Sequence, residues 1–321
     1  MDLALATPGA ALLGLAVFLP LAVTAAATLR ARRVRGMLGL AAPKRRGFLV
    51  PAIASVGVAA LLALAAAQPV LTRQERQLVR TDAEAYVVMD VTRSMLAQAN
   101  PSARVRLERA KEAALTIRAA LSGVPVGIAS MTDRVLPHLF PTPDEDVFRA
   151  TIERSIGIEH PPPQSGLGTN VTSIASLDAL SQLGFFSPAA AKRLAVVVTD
   201  GESQPSDPTR LAALLQGPPR IETVFVHVWG ANERVFRRGA PEPQYEPDPS
   251  SRSALQRLAA ATGGSVFAEE RAGQAAARAR NVLGSGRVVS RAEARAYVGL
   301  APYLALGALL PLGVALLRRE R

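Results

Sequence analysis

The sequence predicts an α/β fold built on a doubly wound, mostly parallel sheet. Short apolar runs alternate with helical patterns, and the runs lack the polar alternation of a one-sided sheet. Two of these runs end in an aspartate. Continuous apolar strands are typical of parallel sheets that helices cover on both faces. Long apolar segments at both ends of the chain add three flanking transmembrane helices to this prediction.

The apolar segments come first in the chain. No charged residue lies between Asp2 and Arg30, from 48 to 67, or from 296 to 317. About 20 apolar residues cross a bilayer, which predicts transmembrane helices at about 8–29, 48–67 and 296–317. Residues 30–47 link the first two and carry seven basic residues and no acid. The positive-inside rule places this link and the basic tail in the cytoplasm.

This topology predicts a multi-pass protein of the cell (inner) membrane, with an extracytoplasmic domain at residues 84–284. Most of the net charge of +11 lies in the link and the tail, so it is an orientation signal. With 4% aromatic residues and no concentrated basic face, we expect no nucleic-acid binding. Cysteine is absent, which excludes disulfides, thiolate metal ligands and a cysteine nucleophile.

Within the domain, apolar runs predict strands and amphipathic patterns predict helices. Strands are expected at 85–89, 125–131, 134–140, 193–199 and 221–229. Helices are expected at 104–121, 144–156, 170–183 and 253–262. The insertion at 231–251 is rich in Pro, Glu and Arg and has no core-forming pattern, so we interpret it as a solvated loop.

Oxygen-bearing side chains follow two of the predicted strands. Asp90 ends the first strand, and Thr92 and Ser94 follow at alternate positions. Asp200 follows the strand at 193–199, and Thr169 opens the helix before it. Because ligands bind at the carboxyl ends of parallel strands, these groups should face one crevice. Hard oxygen ligands of this kind predict a site for Mg²⁺ or Mn²⁺.

Each of these residues also has a purely structural interpretation. Thr169 and Ser94 are residue types that cap helices, and Asp200 followed by glycine is a common turn. The joint occurrence of two acids and three hydroxyls on three successive loops favours the metal site.

These motifs resemble the von Willebrand factor type A (VWA) domain and its metal-ion-dependent adhesion site. Residues 90–94 resemble its Asp-x-Ser-x-Ser motif, with Thr92 where the family has Ser, and Asp200 resembles its strand-terminal Asp-Gly. The resemblance implies Thr92, Ser94 and Thr169 as hydroxyl ligands, with Asp90 and Asp200 binding the metal directly or through water. It extends over residues 85–283, including a late helix, a Gly-Gly turn and a final strand.

With two spans before the domain and one after it, the whole chain resembles the Bat-type aerotolerance proteins associated with MoxR-type ATPases. The chain departs from many of them in having no acid shortly after Met95. The resemblance implies adhesion or assembly through a metal that accepts an acidic residue of an extracytoplasmic partner. It implies sister VWA membrane proteins and a MoxR-type ATPase as partners, and no enzymatic turnover.

Two alternatives remain open at this point. In the first, Asp90 is the nucleophile of a Mg²⁺-dependent phosphotransferase, although Thr92 stands where such enzymes carry a second, proton-donating Asp. In the second, the domain is a metal-free membrane scaffold whose hydroxyls only cap helices.

Overall fold

The computed structural model describes residues 2–38, 46–162 and 172–317. The chain divides into two compact units, which we call unit 1 (residues 1–76 and 292–321) and unit 2 (residues 77–291). The boundaries fall within two long strands, β2 (Pro69–Arg80) and β11 (Val288–Gly299). Part of the predicted basic link, residues 39–45, and the basic tail, residues 318–321, lie outside the described residues.

In its described residues, unit 1 combines a small sheet with one 3₁₀ helix and four α-helices. The sheet has the order β1-β2-β11, where β1 is Asp2–Leu5. A 3₁₀ helix at Pro8–Val17 follows β1. The α-helices are α1 (Phe18–Met37), α2 (Arg46–Ala66), α9 (Ala301–Gly307) and α10 (Leu309–Leu317).

The prediction of three transmembrane helices is wrong. Among the described residues, no helix has both the length and the apolar character that crossing a membrane requires. The first apolar run is divided between β1, the 3₁₀ helix and α1, and α1 carries four arginines, which are costly in hydrocarbon. The third run is divided between the end of β11, α9 and α10.

Unit 2 is an α/β unit built on a six-stranded sheet of order β10-β7-β6-β3-β4-β5. Only β5, at one edge, is antiparallel to its neighbour. The strands are β3 (Ala83–Asp90), β4 (Val126–Met131), β5 (Val135–Thr142), β6 (Lys192–Thr199), β7 (Ile221–His227) and β10 (Ser265–Ala268). A short hairpin pairs β8 (Phe236–Arg237) with β9 (Ala240–Pro241).

Helices cover both faces of this sheet. One face packs on α3 (Arg106–Ala120), α4 (Glu145–Ser155) and α8 (Ala272–Leu283). The other face packs on a 3₁₀ helix at Ile174–Asp178, α5 (Ala179–Gln182), α6 (Pro208–Gln216) and α7 (Ser251–Thr262). Successive residues of the central strands therefore enter alternate cores, which confirms the doubly wound, mostly parallel sheet.

One predicted helix differs. The sequence predicts a helix over 170–183, whereas the described part is the 3₁₀ helix at Ile174–Asp178 followed by the one-turn α5. The Ser176 hydroxyl donates to the Ser173 carbonyl at 2.6 Å. Such local side-chain bonds compete with regular helix.

The strand order has a switch point at its centre. The chain runs outward from β3 through β4 to β5, then returns to β6 on the other side of β3 and continues to β7 and β10. The loops that follow β3 and β6 therefore turn to opposite faces of the sheet. They leave a crevice at the carboxyl ends of these two strands. Asp90 and Asp200 stand at these two strand ends.

Candidate metal centre

Asp90 lies at the centre of the crevice and has no exposed surface. Its Oδ1 accepts hydrogen bonds from the Thr92 backbone N–H at 3.0 Å and the Thr92 hydroxyl at 2.6 Å. Its Oδ2 accepts from the hydroxyls of Thr199 at 2.6 Å and Thr172 at 3.2 Å. Both carboxylate oxygens are thus surrounded by donors from two loops and from the end of β6.

Three hydroxyl oxygens lie together beside this carboxylate. The Oγ1 of Thr92 is 3.1 Å from the Oγ of Ser94 and 2.9 Å from the Oγ1 of Thr172. Thr92 directly precedes the 3₁₀ helix Arg93–Leu96, whose tight turn brings the 92 and 94 side chains to the same side. The structure therefore brings Asp90, Thr92 and Ser94 together.

The third hydroxyl comes from Thr172, which sequence reasoning missed. Thr169, the predicted ligand, lies outside the described residues. The neighbouring loops hold the backbone around Thr172 in place. The Thr172 carbonyl accepts from the Gln204 N–H at 2.9 Å, and the next residue, Ser173, donates its N–H to the Thr132 carbonyl at 2.9 Å.

Asp200 has different surroundings, because it pairs with a permanent cation. Its Oδ2 is 3.1 Å from Nη1 of Arg106, and its Oδ1 accepts from the Glu202 N–H at 2.9 Å. The turn after Asp200 requires Gly201, which has φ +73° and whose Cβ would lie 2.9 Å from Leu255 Cδ1.

A buried polar network surrounds Arg106, the first residue of α3. Nη1 also donates to Glu202 Oε1 at 2.8 Å and to the Tyr245 hydroxyl at 2.8 Å. Nε donates to Glu233 Oε2 at 2.6 Å, and Arg109 also pairs with Glu233. No pattern in the sequence distinguishes Arg106, because arginines are mostly exposed in folded proteins and an arginine at a helix start is expected to be solvated.

Most of the segment 231–251 is exposed loop, as the sequence predicts, but a few of its residues are tied to the loops of the site. Glu233 and Val235 are buried, and Gln98 and Arg234 exchange backbone hydrogen bonds. Glu242 accepts from Arg93, between the two hydroxyl residues of the first loop, at 2.8 Å. Tyr245 donates to Glu202 Oε2 at 2.9 Å. Polar contacts, not an apolar pattern, order this segment, so hydrophobic periodicity did not reveal it.

Burial is the largest cause of an unusual protonation equilibrium at Asp90. It raises the pKa of this carboxyl to about 7, with repulsion from Asp200 acting in the same direction. Hydrogen bonds from Thr199 and Thr92 oppose the rise. Burial also raises the pKa of Glu202, again with a contribution from Asp200. Negative charge is therefore disfavoured in this crevice unless a cation enters it.

The donor set suits a hard divalent cation. Among the described residues, no three or more His, Cys, Asp or Glu side chains are grouped so that they could hold a metal ion. The cluster consists instead of one carboxylate and three hydroxyls, in which the Thr92 hydroxyl lies within hydrogen-bonding distance of the other three groups. Mg²⁺ and Mn²⁺ accept such oxygens and retain water at the remaining positions.

No family model and no curated protein sequence matches this chain. Solved structures do resemble it. An aerotolerance-related membrane protein from Bacteroides fragilis is 19% identical, with a TM-score of 0.47, over 61% of this chain and 99% of that protein. A von Willebrand factor type A structure from Catenulispora acidiphila is 17% identical, with a TM-score of 0.39, over 67% and 49%.

A third similar structure is the manganese-loaded TRAP protein of Plasmodium vivax. It is 11% identical, with a TM-score of 0.42, over 70% of this chain and 81% of that protein. Aerotolerance-related and VWA proteins are thus among the structures that this chain resembles. The likeness concerns the VWA-like fold.

Proposed function

We propose that this chain is a binding module that holds Mg²⁺ or Mn²⁺ at the crevice between β3 and β6. Asp90, Thr92, Ser94 and Thr172 would contact the metal, and Asp200 would act through water. The observation that carries the proposal is the Asp90 carboxylate enclosed by the hydroxyls of Thr92, Thr172 and Thr199 at 2.6–3.2 Å. A bound cation would supply positive charge to a buried carboxylate that otherwise favours its protonated form.

The proposed role of this metal is to accept a carboxylate from a partner protein. One direct carboxylate leaves a divalent cation with residual positive charge and with water at its remaining positions. An acidic side chain from another protein can replace one of these waters. Binding is favoured over phosphoryl transfer because Thr92, two residues after Asp90, stands where such enzymes carry a second, proton-donating Asp.

The experiment is calorimetric titration of the full-length chain with Mn²⁺, beside Asp90→Asn and the control Glu153→Gln. Glu153 is exposed and lies on α4, outside the cluster. We expect saturable 1:1 binding that Asp90→Asn abolishes and Glu153→Gln retains. A folded chain that binds no Mn²⁺ would contradict the proposal and favour the metal-free scaffold.

We propose further that unit 1 attaches the chain to a lipid surface. Large apolar side chains there are highly exposed, including Leu12 and Leu13 at 68% each and Leu310 at 76%. Exposed apolar side chains at this density mark a contact with a partner or a membrane. The full-length chain should float with liposomes in a density gradient, and recovery only in the lipid-free fraction would contradict the attachment.

A further inference from the structure

Arg106 is a buried cation fixed beside the candidate metal centre. Its side chain has no exposed surface, and it contacts two loop carboxylates, Asp200 at 3.1 Å and Glu202 at 2.8 Å. Its Nε contacts Glu233 at 2.6 Å. Four groups, including the Tyr245 hydroxyl, therefore hold one guanidinium.

The backbone of Arg106 is tied to the loop that carries the hydroxyl ligands. Its N–H donates to the Ala97 carbonyl at 2.9 Å, and Ala97 directly follows the 3₁₀ helix Arg93–Leu96. Because backbone and side chain are both anchored, the guanidinium cannot move away without breaking several buried hydrogen bonds. Asp200 is correspondingly fixed, since each of its two oxygens already has a partner.

The two aspartates of the crevice therefore differ in what a metal would have to displace. Asp90 is surrounded by hydroxyls and one N–H, and the hydroxyls can turn their oxygens toward a cation. Asp200 is paired with a guanidinium, which has no acceptor and keeps its charge. Direct coordination by Asp200 would draw one of the three carboxylates away from Arg106 and bring a divalent cation close to the buried guanidinium.

We propose that Arg106 is a positioning residue that withholds Asp200 from direct contact with the metal. Asp90 is then the sole carboxylate ligand supplied by this chain. The inference rests on the proposed function and adds the reason why the metal remains positive enough to attract a partner's acid. A second direct carboxylate would neutralise Mg²⁺ and weaken that attraction.

The first test uses Asp200→Asn in the full-length chain, because this change keeps the shape of the side chain. Mn²⁺ affinity is measured by calorimetry, and the water molecules on bound Tb³⁺ are counted from luminescence lifetimes in H₂O and D₂O. We expect the affinity to fall by less than about tenfold, as for loss of a charge that acts through water, and the water count to be unchanged. An affinity loss of about a hundredfold with one additional water would overturn the assignment.

The second test removes the cation. Arg106→Gln should free Asp200, tighten Mn²⁺ binding about tenfold and remove one water from bound Tb³⁺, because a second carboxylate joins the metal. Adding Asp200→Asn to this variant should restore the water. A purely structural role for Arg106 would weaken binding without changing the water count, and that result would overturn the proposal.

The two tests also separate this proposal from the proposed function. If Arg106→Gln does not fold, the water count of Asp200→Asn still decides the role of Asp200. No Mn²⁺ binding by the unaltered chain would overturn the proposed function and this assignment together. Binding that is lost in Asp90→Asn, with an additional water in Asp200→Asn, would overturn this assignment alone.

Discussion

At the scale of single residues, Asp90 determines the chemistry of the crevice. Its carboxylate is buried, and four donors contact it. Burial and the nearby Asp200 raise its pKa to about 7, from an ordinary value of 3.8. Folding without metal therefore favours the protonated form. This contribution to stability is complete below pH 3.8 and is lost as the pH rises through about 7.

We therefore predict that Mn²⁺ binding depends on pH. The metal needs the carboxylate, so its apparent affinity should fall by about tenfold per pH unit below pH 7 and level off above it. Titrations between about pH 5.5 and 8.5, in buffers of different ionisation enthalpy, report both the affinity and the proton released. Affinity that is constant across this range, with no proton release, would show that Asp90 is already ionised.

Thr172 gives a second prediction at this scale. Its hydroxyl is 2.9 Å from that of Thr92 and 3.2 Å from Asp90. Thr172→Ala should weaken Mn²⁺ binding by about tenfold or more, and Thr172→Ser should retain it, because only the hydroxyl is a ligand.

The matched variant for this prediction is Thr169→Ala, at the position that the sequence motif favours. If Thr172 is the ligand, Thr169→Ala should bind Mn²⁺ like the unaltered chain. If only Thr169→Ala loses Mn²⁺ binding, the metal ligand is Thr169, the residue that the VWA resemblance implies.

At the scale of elements, the turns after β3 and β6 position the site. The 3₁₀ helix Arg93–Leu96 aligns two hydroxyls, and the turn at Gly201 aligns Asp200 with Arg106. The 231–251 segment braces both turns through Glu242 and Tyr245. Geometry that the metal requires is thus held by contacts between loops that are distant in the sequence.

The Gly201 turn can be tested with a matched glycine. Gly201 and Gly184 both have positive φ, +73° and +67°, but only Gly201 is crowded, by Leu255. Gly184→Ala should cost about 1 kcal/mol through backbone strain alone. Gly201→Ala should cost about 2–4 kcal/mol, because overpacking adds to that strain. Thermal unfolding measures both, and equal losses of stability would show that Leu255 adjusts without cost.

At the scale of the whole molecule, unit 2 contains both hydrophobic cores of its sheet. Helices from within residues 77–291 cover each face, and every residue of the candidate metal centre lies in this unit. A unit that has its own hydrophobic core on each side of its sheet can fold independently.

We predict that a fragment of residues 77–291 folds alone. It should unfold cooperatively on heating and bind Mn²⁺ with the affinity of the full-length chain. In liposome flotation it should stay in the lipid-free fraction, because the exposed apolar side chains proposed to contact lipid belong to unit 1. A fragment without a cooperative transition would show that unit 2 depends on unit 1.

The sequence by itself determined the α/β class, the central strands and the strand-end positions of Asp90 and Asp200. These features are local, because an apolar run and the residue that ends it can be read without knowledge of distant partners. Net hydrophobicity, in contrast, gave the wrong prediction at both ends of the chain. Apolar content does not specify whether a run forms one continuous helix or, as in unit 1, several shorter elements.

Only the tertiary structure decided which polar residues meet. Thr172 and Thr199 approach Asp90 from sequence separations of 82 and 109 residues, and Arg106 reaches Glu233 across 127 residues. Hydrogen bonds and ion pairs between loops leave no periodic trace in a sequence, whereas burial of apolar faces does. The fold class was therefore predictable from one sequence. The hydrogen-bonding partners of Asp90 and Asp200 were not, because they depend on which strands and loops are neighbours in the folded protein.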